Sequence, residues 1–239
     1  MVRKGKVTKL TDLGQCAFAS CANLKYTEIP SSVQTMGDSV FDRCTSMYYV
    51  RFRDGSVQQI PSQAFYGCSA LKTVIFENEL TTIGKLAFAG CTSLNTIELP
   101  ETVTSIGDRA FAGCTDLQKV VIPARVTEIS DMAFSGSDNV TLYCLYDSSA
   151  YSYAKQKNIP YVLTDNVMLG DANGNDVVGV DDVSAVQRYL AELESLEGIY
   201  LHAADTNQDG EVDISDATNL QAYLAEYPVQ NPIGEILTQ

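Results

Sequence analysis

Two stretches near the C-terminus carry oxygen-bearing side chains at a spacing suited to wrapping a cation. The second runs from Asp205 to Asp216, with Asp205, Asn207, Asp209, Asp213 and Asp216 at positions 1, 3, 5, 9 and 12 and Gly210 at position 6. Calcium takes about six to eight hard oxygens and tolerates irregular geometry; position 7 of such a loop adds a main-chain carbonyl, here that of Glu211. Gly210 permits the left-handed turn that brings the chain round the ion. The first stretch, Asp171 to Asp182, is less regular. Asp171, Asn173, Asn175, the Val177 carbonyl and Asp182 fill positions 1, 3, 5, 7 and 12, but position 9 is Gly179 and position 6 is Asp176, which takes a positive φ only at some cost. Carboxylates come from Asp205, Asp209, Asp213 and Asp216 in loop 2 and only from Asp171 and Asp182 in loop 1. The alternative for loop 1 is a turn held by its own side-chain hydrogen bonds. The reading is one Ca2+ in each loop, two in all, with loop 2 the tighter.

The charge distribution sets these loops apart from the rest of the chain. Of a net −14, residues 1–164 contribute nothing, with 15 acidic and 15 basic side chains; residues 165–239 hold 15 acidic side chains and one basic one, Arg188. So sharp an asymmetry predicts two modules, 1–164 and 165–239. The acidic field argues against nucleic acid as a partner, and no apolar run is long enough to span a membrane. Met1-Val-Arg-Lys is basic but leads into no apolar core, and the chain opens partway into a repeat, so it reads as a fragment of a longer secreted protein.

The elements that carry the loops differ from those before them. Val183, Val186, Tyr189 and Leu190 follow loop 1 at helical spacing, and Ala217, Leu220, Tyr223 and Leu224 follow loop 2. At an offset of 34 residues Gln187 superimposes on Gln221 and Tyr189 on Tyr223, so the helical unit is duplicated. Only a short segment from Asp165 to Gly170 precedes loop 1. Upstream, Phe18, Phe41, Phe65, Phe88, Phe111 and Phe134 recur every 23 or 24 residues, each followed three residues on by Cys21, Cys44, Cys68, Cys91, Cys114 or Ser137. A second apolar pair such as Val103 and Ile106 precedes each Phe from the second onward. Repeats this short cannot bury an apolar face alone; stacking makes one continuous core. The segment Leu94 to Leu99 predicts a short strand, stacking coil on coil into a parallel sheet about 4.8 Å apart. The stretch from Ala110 to Cys114 predicts the helical or turn-like return. Tyr26, Tyr49, Thr73, Thr96, Lys119 and Leu142 are expected on the open sheet face, with Glu28, Arg51, Ile75, Glu98, Val121 and Cys144. Tyr26, Tyr49, Arg51 and Arg53 would form a patch able to hold a protein or glycan, the alternative being an ordinary solvated face. The five aligned cysteines are expected to be buried thiols, since parallel Cβ vectors do not suit a disulfide.

These motifs carry two resemblances. Ile106-Gly-Asp-Arg-Ala110-Phe111-Ala-Gly113-Cys114 resembles the unit I-G-x-x-A-F-x-G-C-x-x-L-x-x-I-x-I-P of BspA-like leucine-rich repeats, over residues 8–163, with Tyr146 to Leu163 similar to that family's closing cap. The duplicated loop–helix unit, with Asp at position 12 and no long leading helices, resembles a type I-like dockerin over residues 167–235. The implied fold is α+β in two modules, a right-handed leucine-rich-repeat solenoid with a parallel sheet and then an all-α, paired EF-hand-like dockerin. The resemblance implies a cohesin module of a scaffoldin as partner, in a secreted, extracellular or cell-surface complex of an anaerobic bacterium that degrades polysaccharide. It carries partner contacts onto Val180, Asp181, Gln187 and Arg188 in the first half and Ile214, Ser215, Gln221 and Ala222 in the second. Neither half has the Ser-Thr pair of the best-known specificity group.

No catalytic constellation stands out: the single histidine, His202, reads as a surface or packing residue, and no Ser or Cys has a base partner. The first expectation is therefore a non-catalytic scaffold component. The second is the C-terminal part of a larger polysaccharide-degrading enzyme or adhesin whose active module lies upstream of Met1. A third, a calcium sensor, is disfavoured by the missing leading helices and the lack of a Met-rich face.

Overall fold

The computed structural model of the chain describes residues 9–77, 79–164, 168–196, 198–231 and 233–235. They fall into two compact units, one of residues up to Tyr143 with Ser148–Pro160, the other of Cys144–Asp147 with residues from Tyr161 onward.

In the first unit every coil contributes two strands. The even-numbered ones are β2 (Tyr26–Ile29), β4 (Tyr49–Phe52), β6 (Thr73–Phe76), β8 (Thr96–Glu98), β10 (Lys119–Val121) and β12 (Thr141–Cys144). The odd-numbered ones have two residues each: β1 (Asp12–Leu13), β3 (Thr35–Met36), β5 (Gln59–Ile60), β7 (Thr82–Ile83), β9 (Ser105–Ile106) and β11 (Glu128–Ile129). β2, β4 and β6 pair in parallel, as do β8, β10 and β12. The odd strands also pair in parallel, β1 with β3 and β5 through β11 in a four-stranded run, which the sequence pattern does not announce. The return stretch is turns, also bonded coil to coil: the amide of Phe65 donates to the Ala87 carbonyl and that of Phe88 to the Ala110 carbonyl, both at 2.8 Å. Coils are thus hydrogen-bonded to their neighbours along both strand positions and the return, with breaks in the strand pairing between β3 and β5 and between β6 and β8.

The glycines answer two separate demands of this stacking. Gly67, Gly90, Gly113 and Gly136 stand at φ between +66° and +72° in the returns, where a Cβ is strained. Gly84 and Gly107 instead lie where a Cβ would meet the backbone of the preceding coil at 2.6 and 2.8 Å.

The core is the expected Phe column. Phe41, Phe65, Phe88, Phe111 and Phe134 stack at centroid spacings of 5.2–5.4 Å. Helix α1 (Ser149–Lys157), capped by Ser148, follows the last coil, and its Tyr153 lies 6.0 Å from Phe134 and ends the column. The amide of Leu142 donates to the Pro160 carbonyl at 2.9 Å, tying the segment after α1 to the last coil.

Three expectations need correction. Cys21 is exposed, together with Cys16, because among the described residues no coil packs over the first turn; Cys44, Cys68, Cys91 and Cys114 are buried. Leu142 and Cys144, expected on the open face, are buried instead. Lys119 pairs with Thr141 and Val120 with Leu142, so the sixth strand starts one residue early relative to its Phe, and a one-residue slip exchanges the two faces of a strand. Leu145 is consequently only half-buried, and Cys144 beside it is buried. The buried thiols also do more than fill space. Cys44, Cys68, Cys91 and Cys114 donate to the carbonyls of Phe18, Phe41, Phe65 and Phe88 at 3.1–3.2 Å. Ser137 makes the same bond to Phe111 at 2.6 Å, which is why Ser can stand in the sixth place.

Burial pushes the thiols of Cys68 and Cys114 up to about 12 and raises Cys91 well above its ordinary value. At neutral pH a thiol reagent is expected to modify Cys16 and Cys21 in the native protein and all seven cysteines after unfolding, read by mass spectrometry; native labelling of the column would contradict this packing. Phe88→Ala, in mid-column, is expected to destabilise the array by about 3–5 kcal/mol in denaturant unfolding.

Candidate functional site

The second unit begins with Cys144–Asp147 and strand β13 (Tyr161–Leu163), where the amide of Thr164 donates to the Cys144 carbonyl at 3.0 Å. Its helices are α2 (Val180–Leu190), α3 (Gly198–Ala204) and α4 (Ile214–Leu224). α2 and α4 pack together, burying Val183, Ala185 and Val186 against Ala217 and Leu220. α3 precedes loop 2 as a short leading helix. Asp165, Asn166 and Val167 of the segment before loop 1 lie outside the described residues. His202 is a packing residue, its ring stacked on Tyr146 at 5.2 Å. The segment at Ile233–Glu235 returns to the start of loop 1: the amide of Gly234 donates to the Leu169 carbonyl at 2.8 Å and that of Leu169 to the Glu235 carbonyl at 2.9 Å.

The two loops have one hydrogen-bond plan. The Asp171 carboxylate accepts from the amides of Gly174, Asn175 and Asp176 at 2.8–3.1 Å; that of Asp205 accepts from Asp209 and Gly210 at 3.1 and 2.9 Å. Position 12 spans each loop in the same way. Asp182 accepts from Asn173 and Gly179 at 3.0 and 2.7 Å, and Asp216 from Asn207 and Asp213 at 3.1 and 2.8 Å. Position 5 caps position 7 in both, Asn175 accepting from Val177 at 2.9 Å and Asp209 from Glu211 at 3.0 Å. Asp176 adopts φ +62° where Gly210 has +95°, so the irregular loop 1 follows the same path. Position 12 also sits in the first turn of each helix, where a carboxylate is favoured by the helix dipole.

The oxygen set fits calcium. Asp171, Asp182, Asp205 and Asp216 are 1%, 0%, 5% and 0% exposed, and they are the buried charged residues among those described. None of the four makes an ion pair among the described residues. The one basic side chain after residue 164, Arg188, pairs instead with Glu194 at 2.8 Å. Burial raises the pKa of Asp182 and Asp205. Paired positions of buried carboxylate, with neighbouring amide and main-chain oxygens and no counter-charge, are what a hard divalent cation completes. Among the described residues no three His, Cys, Asp or Glu side chains converge as a metal cluster.

Sequence reasoning missed Thr206 at position 2 of loop 2. It is fully buried and its hydroxyl donates to the Asp216 carbonyl at 3.1 Å and lies 3.2 Å from its carboxylate. Loop 1 has Ala172 there, and position 2 belongs to no ligand pattern, so nothing in the spacing marked it.

The positions assigned to a partner line the starts and outer faces of α2 and α4. Val180 and Ile214, both at position 10, are 75% and 65% exposed although apolar; Asp181, Gln187, Arg188, Ser215 and Gln221 are exposed and Ala222 is half-buried. On the repeat sheet Tyr26 pairs in register with Tyr49, and Glu28 with Arg51. The arginines there are not unpaired cations: Arg51 is ion-paired with Glu77, and Arg53 lies 3.4 Å from Glu77 and 3.9 Å from Glu28. The patch is thus an exposed Tyr26 and a half-buried Tyr49 beside a neutralised charge network.

A parallel-stranded repeat solenoid joined to a helical unit with duplicated oxygen loops defines a two-module binding architecture, and comparison with known proteins gives both modules a family. Residues 11–141 match the BspA type leucine rich repeat region in six copies, and the chain belongs to that family. Residues 169–225 match the dockerin type I domain; the C-terminal module is a type I dockerin, a class that binds calcium. The chain is similar to a crystal structure of a leucine-rich repeat protein from Bacteroides ovatus, at 30% identity and TM-score 0.56 over 65% of this chain and 40% of that one. It is also similar to the leucine-rich repeat protein of T. pallidum, TpLRR, at 31% identity and TM-score 0.55 over 59% and 66%. The chain thus spans about 40% of the length of the first and 66% of the second. No curated protein matches it. Both matched modules are non-catalytic, and among the described residues no helix is long and apolar enough to cross a membrane.

Calcium should be required for the fold of the dockerin, whose core is small. Addition of chelator is expected to lose the helical far-UV circular dichroism signal while the array's β signal persists, and a calcium excess of about 1,000 Kd should restore roughly 4 kcal/mol of stability for each site. An unchanged spectrum would refute it.

Proposed function

We propose that the protein is a non-catalytic component of a secreted cellulosome-type complex, in which the dockerin, holding two Ca2+, docks on a cohesin of a scaffoldin. One ion is held by Asp171, Asn173, Asn175, the Val177 carbonyl and Asp182. The other is held by Asp205, Asn207, Asp209, the Glu211 carbonyl, Asp213 and Asp216. The observation that carries this reading is the pairing of two buried-carboxylate loops with two exposed apolar residues, Val180 and Ile214, at the starts of the helices those loops position. Calcium neutralises the loops and thereby sets the helix starts, so that partner binding follows metal binding. The repeat array serves as a second interaction surface, with Tyr26 and Tyr49 its aromatic contacts for a protein or glycan. Tyrosine presents large, rigid area at low entropic cost.

Binding of the chain to a panel of cohesins, with and without chelator, tests the reading: capture by at least one cohesin, abolished by chelator, is expected. Absence of capture across cohesin classes would overturn it, as would capture insensitive to chelator. Because Arg188 faces Ala222 and Asp181 faces Ser215 across the duplication, one docking orientation should dominate; a difference of about 1.4 kcal/mol suffices for tenfold bias. With the Arg188 half leading, Arg188→Ala is expected to weaken cohesin binding and Gln221→Ala to change it little. Loss only in the combined variant would mean that both orientations are in use.

A further inference from the structure

Loop 1 has no side chain at position 9, where loop 2 has Asp213. The backbones there are alike: Gly179 stands at φ −145°, ψ −172° and Asp213 at φ −135°, ψ −168°. What differs is the group beside them. The Asp181 carboxylate leans back over Gly179, its Oδ1 lying 2.7 Å from where a Cβ on Gly179 would stand. Its Oδ2 accepts a 2.7 Å hydrogen bond from the Asn175 amide, the side chain at position 5. The counterpart of Asp181 in loop 2 is Ser215, and there the position-9 carboxylate itself accepts from the Ser215 amide at 2.6 Å. A carboxylate therefore lies beside position 9 in both loops, from the residue itself in loop 2 and from two residues downstream in loop 1.

We propose that Asp181 is a calcium ligand of loop 1, taking the place of the missing position-9 side chain, directly or through one water. This rests on the two-ion reading above. It raises the carboxylates of loop 1 from two to three, an arrangement better matched to a divalent cation. It is also consistent with a glycine at position 9, since a side chain there would have to displace the carboxylate that replaces it. An aspartate in the first turn of α2 is also favoured by the helix dipole, and that loss would weaken both single variants through the coupling of folding to calcium; the double variant, which restores a carboxylate at position 9 but not at Asp181, separates the two roles.

The test is calorimetric titration of the full chain with calcium, after chelator treatment, for the wild type, Asp181→Ala, Asp181→Asn and the double variant Gly179→Asp/Asp181→Ala. The wild type is expected to bind two ions. Both single variants should weaken one site by about tenfold or more and leave the other unchanged; Asp181→Asn keeps the side-chain volume and guards against a folding defect. The double variant should return the weakened site close to the wild-type value, because the new carboxylate enters the space that Asp181 vacates. Unchanged affinities in the single variants overturn the proposal while leaving the two-ion reading standing, and so does weakening that the double variant fails to rescue. Fewer than two ions in the wild type would overturn the two-ion reading itself.

Discussion

Removing four carboxylates from water without a basic side chain to answer them is costly, because a buried charge must be paired or neutralised. Asp171, Asp182, Asp205 and Asp216 are in that position, and the organisation of the dockerin follows from it. Their oxygens accept backbone amides from both ends of each loop, which bends the chain into a closed turn and places the next residue at a helix start. A divalent cation then supplies the charge that the chain withholds. The acidic excess beyond residue 164, with Arg188 alone against it, is thus a requirement of the fold as well as a surface property. The closing contacts at Leu169 and Gly234 join the two ends of the module around this centre.

The repeat array solves its burial problem without ions. Its unit is too short to have a core, so every stabilising element is shared between coils: two strand ladders, the bonded returns, the Phe column and the thiol-to-carbonyl bonds. Such a stack behaves as a one-dimensional assembly in which stability is a sum over neighbours. Ends are then the weak points. Tyr153 covers the Phe column at the α1 end, whereas Phe18, Cys16 and Cys21 remain exposed at the other.

What the sequence made legible was whatever repeats in register. The Phe spacing marked the column, the loop pattern marked all four buried carboxylates, and the offset of 34 residues marked the duplication. What escaped it depends on contacts between units. Two-residue strands are too short to show alternation, so the ladder through Ile60, Ile83 and Ile106 was invisible. The face exchange at Leu142 comes from a spacing one residue shorter after Val140, which the aligned repeat positions disguise. The pairing of Arg51 and Arg53 with Glu77 joins different coils, so a patch that reads as cationic along one strand is neutral in the sheet. Thr206 and the hydrogen bond of Asp181 with Asn175 escaped because a ligand pattern reads positions one at a time, whereas both depend on leaning on a neighbour.

The same limit bears on the duplication. The loops share a backbone path, matching hydrogen bonds and matching cap positions, so the main chain offers a partner little basis for preferring either half. Preference must come from side chains, and those differ where the second half is plain. Arg188 is held by Glu194 while its counterpart is Ala222, and Asp181 is held by Asn175 while its counterpart is Ser215. Each tether commits a first-half side chain within the dockerin before any partner arrives. A partner gripping the first half must therefore accept a preset arrangement or break it, whereas the second half presents small side chains that exact no such rearrangement. On the docking reading proposed above, backbone duplication would permit two modes, and these side-chain differences are what would separate their energies.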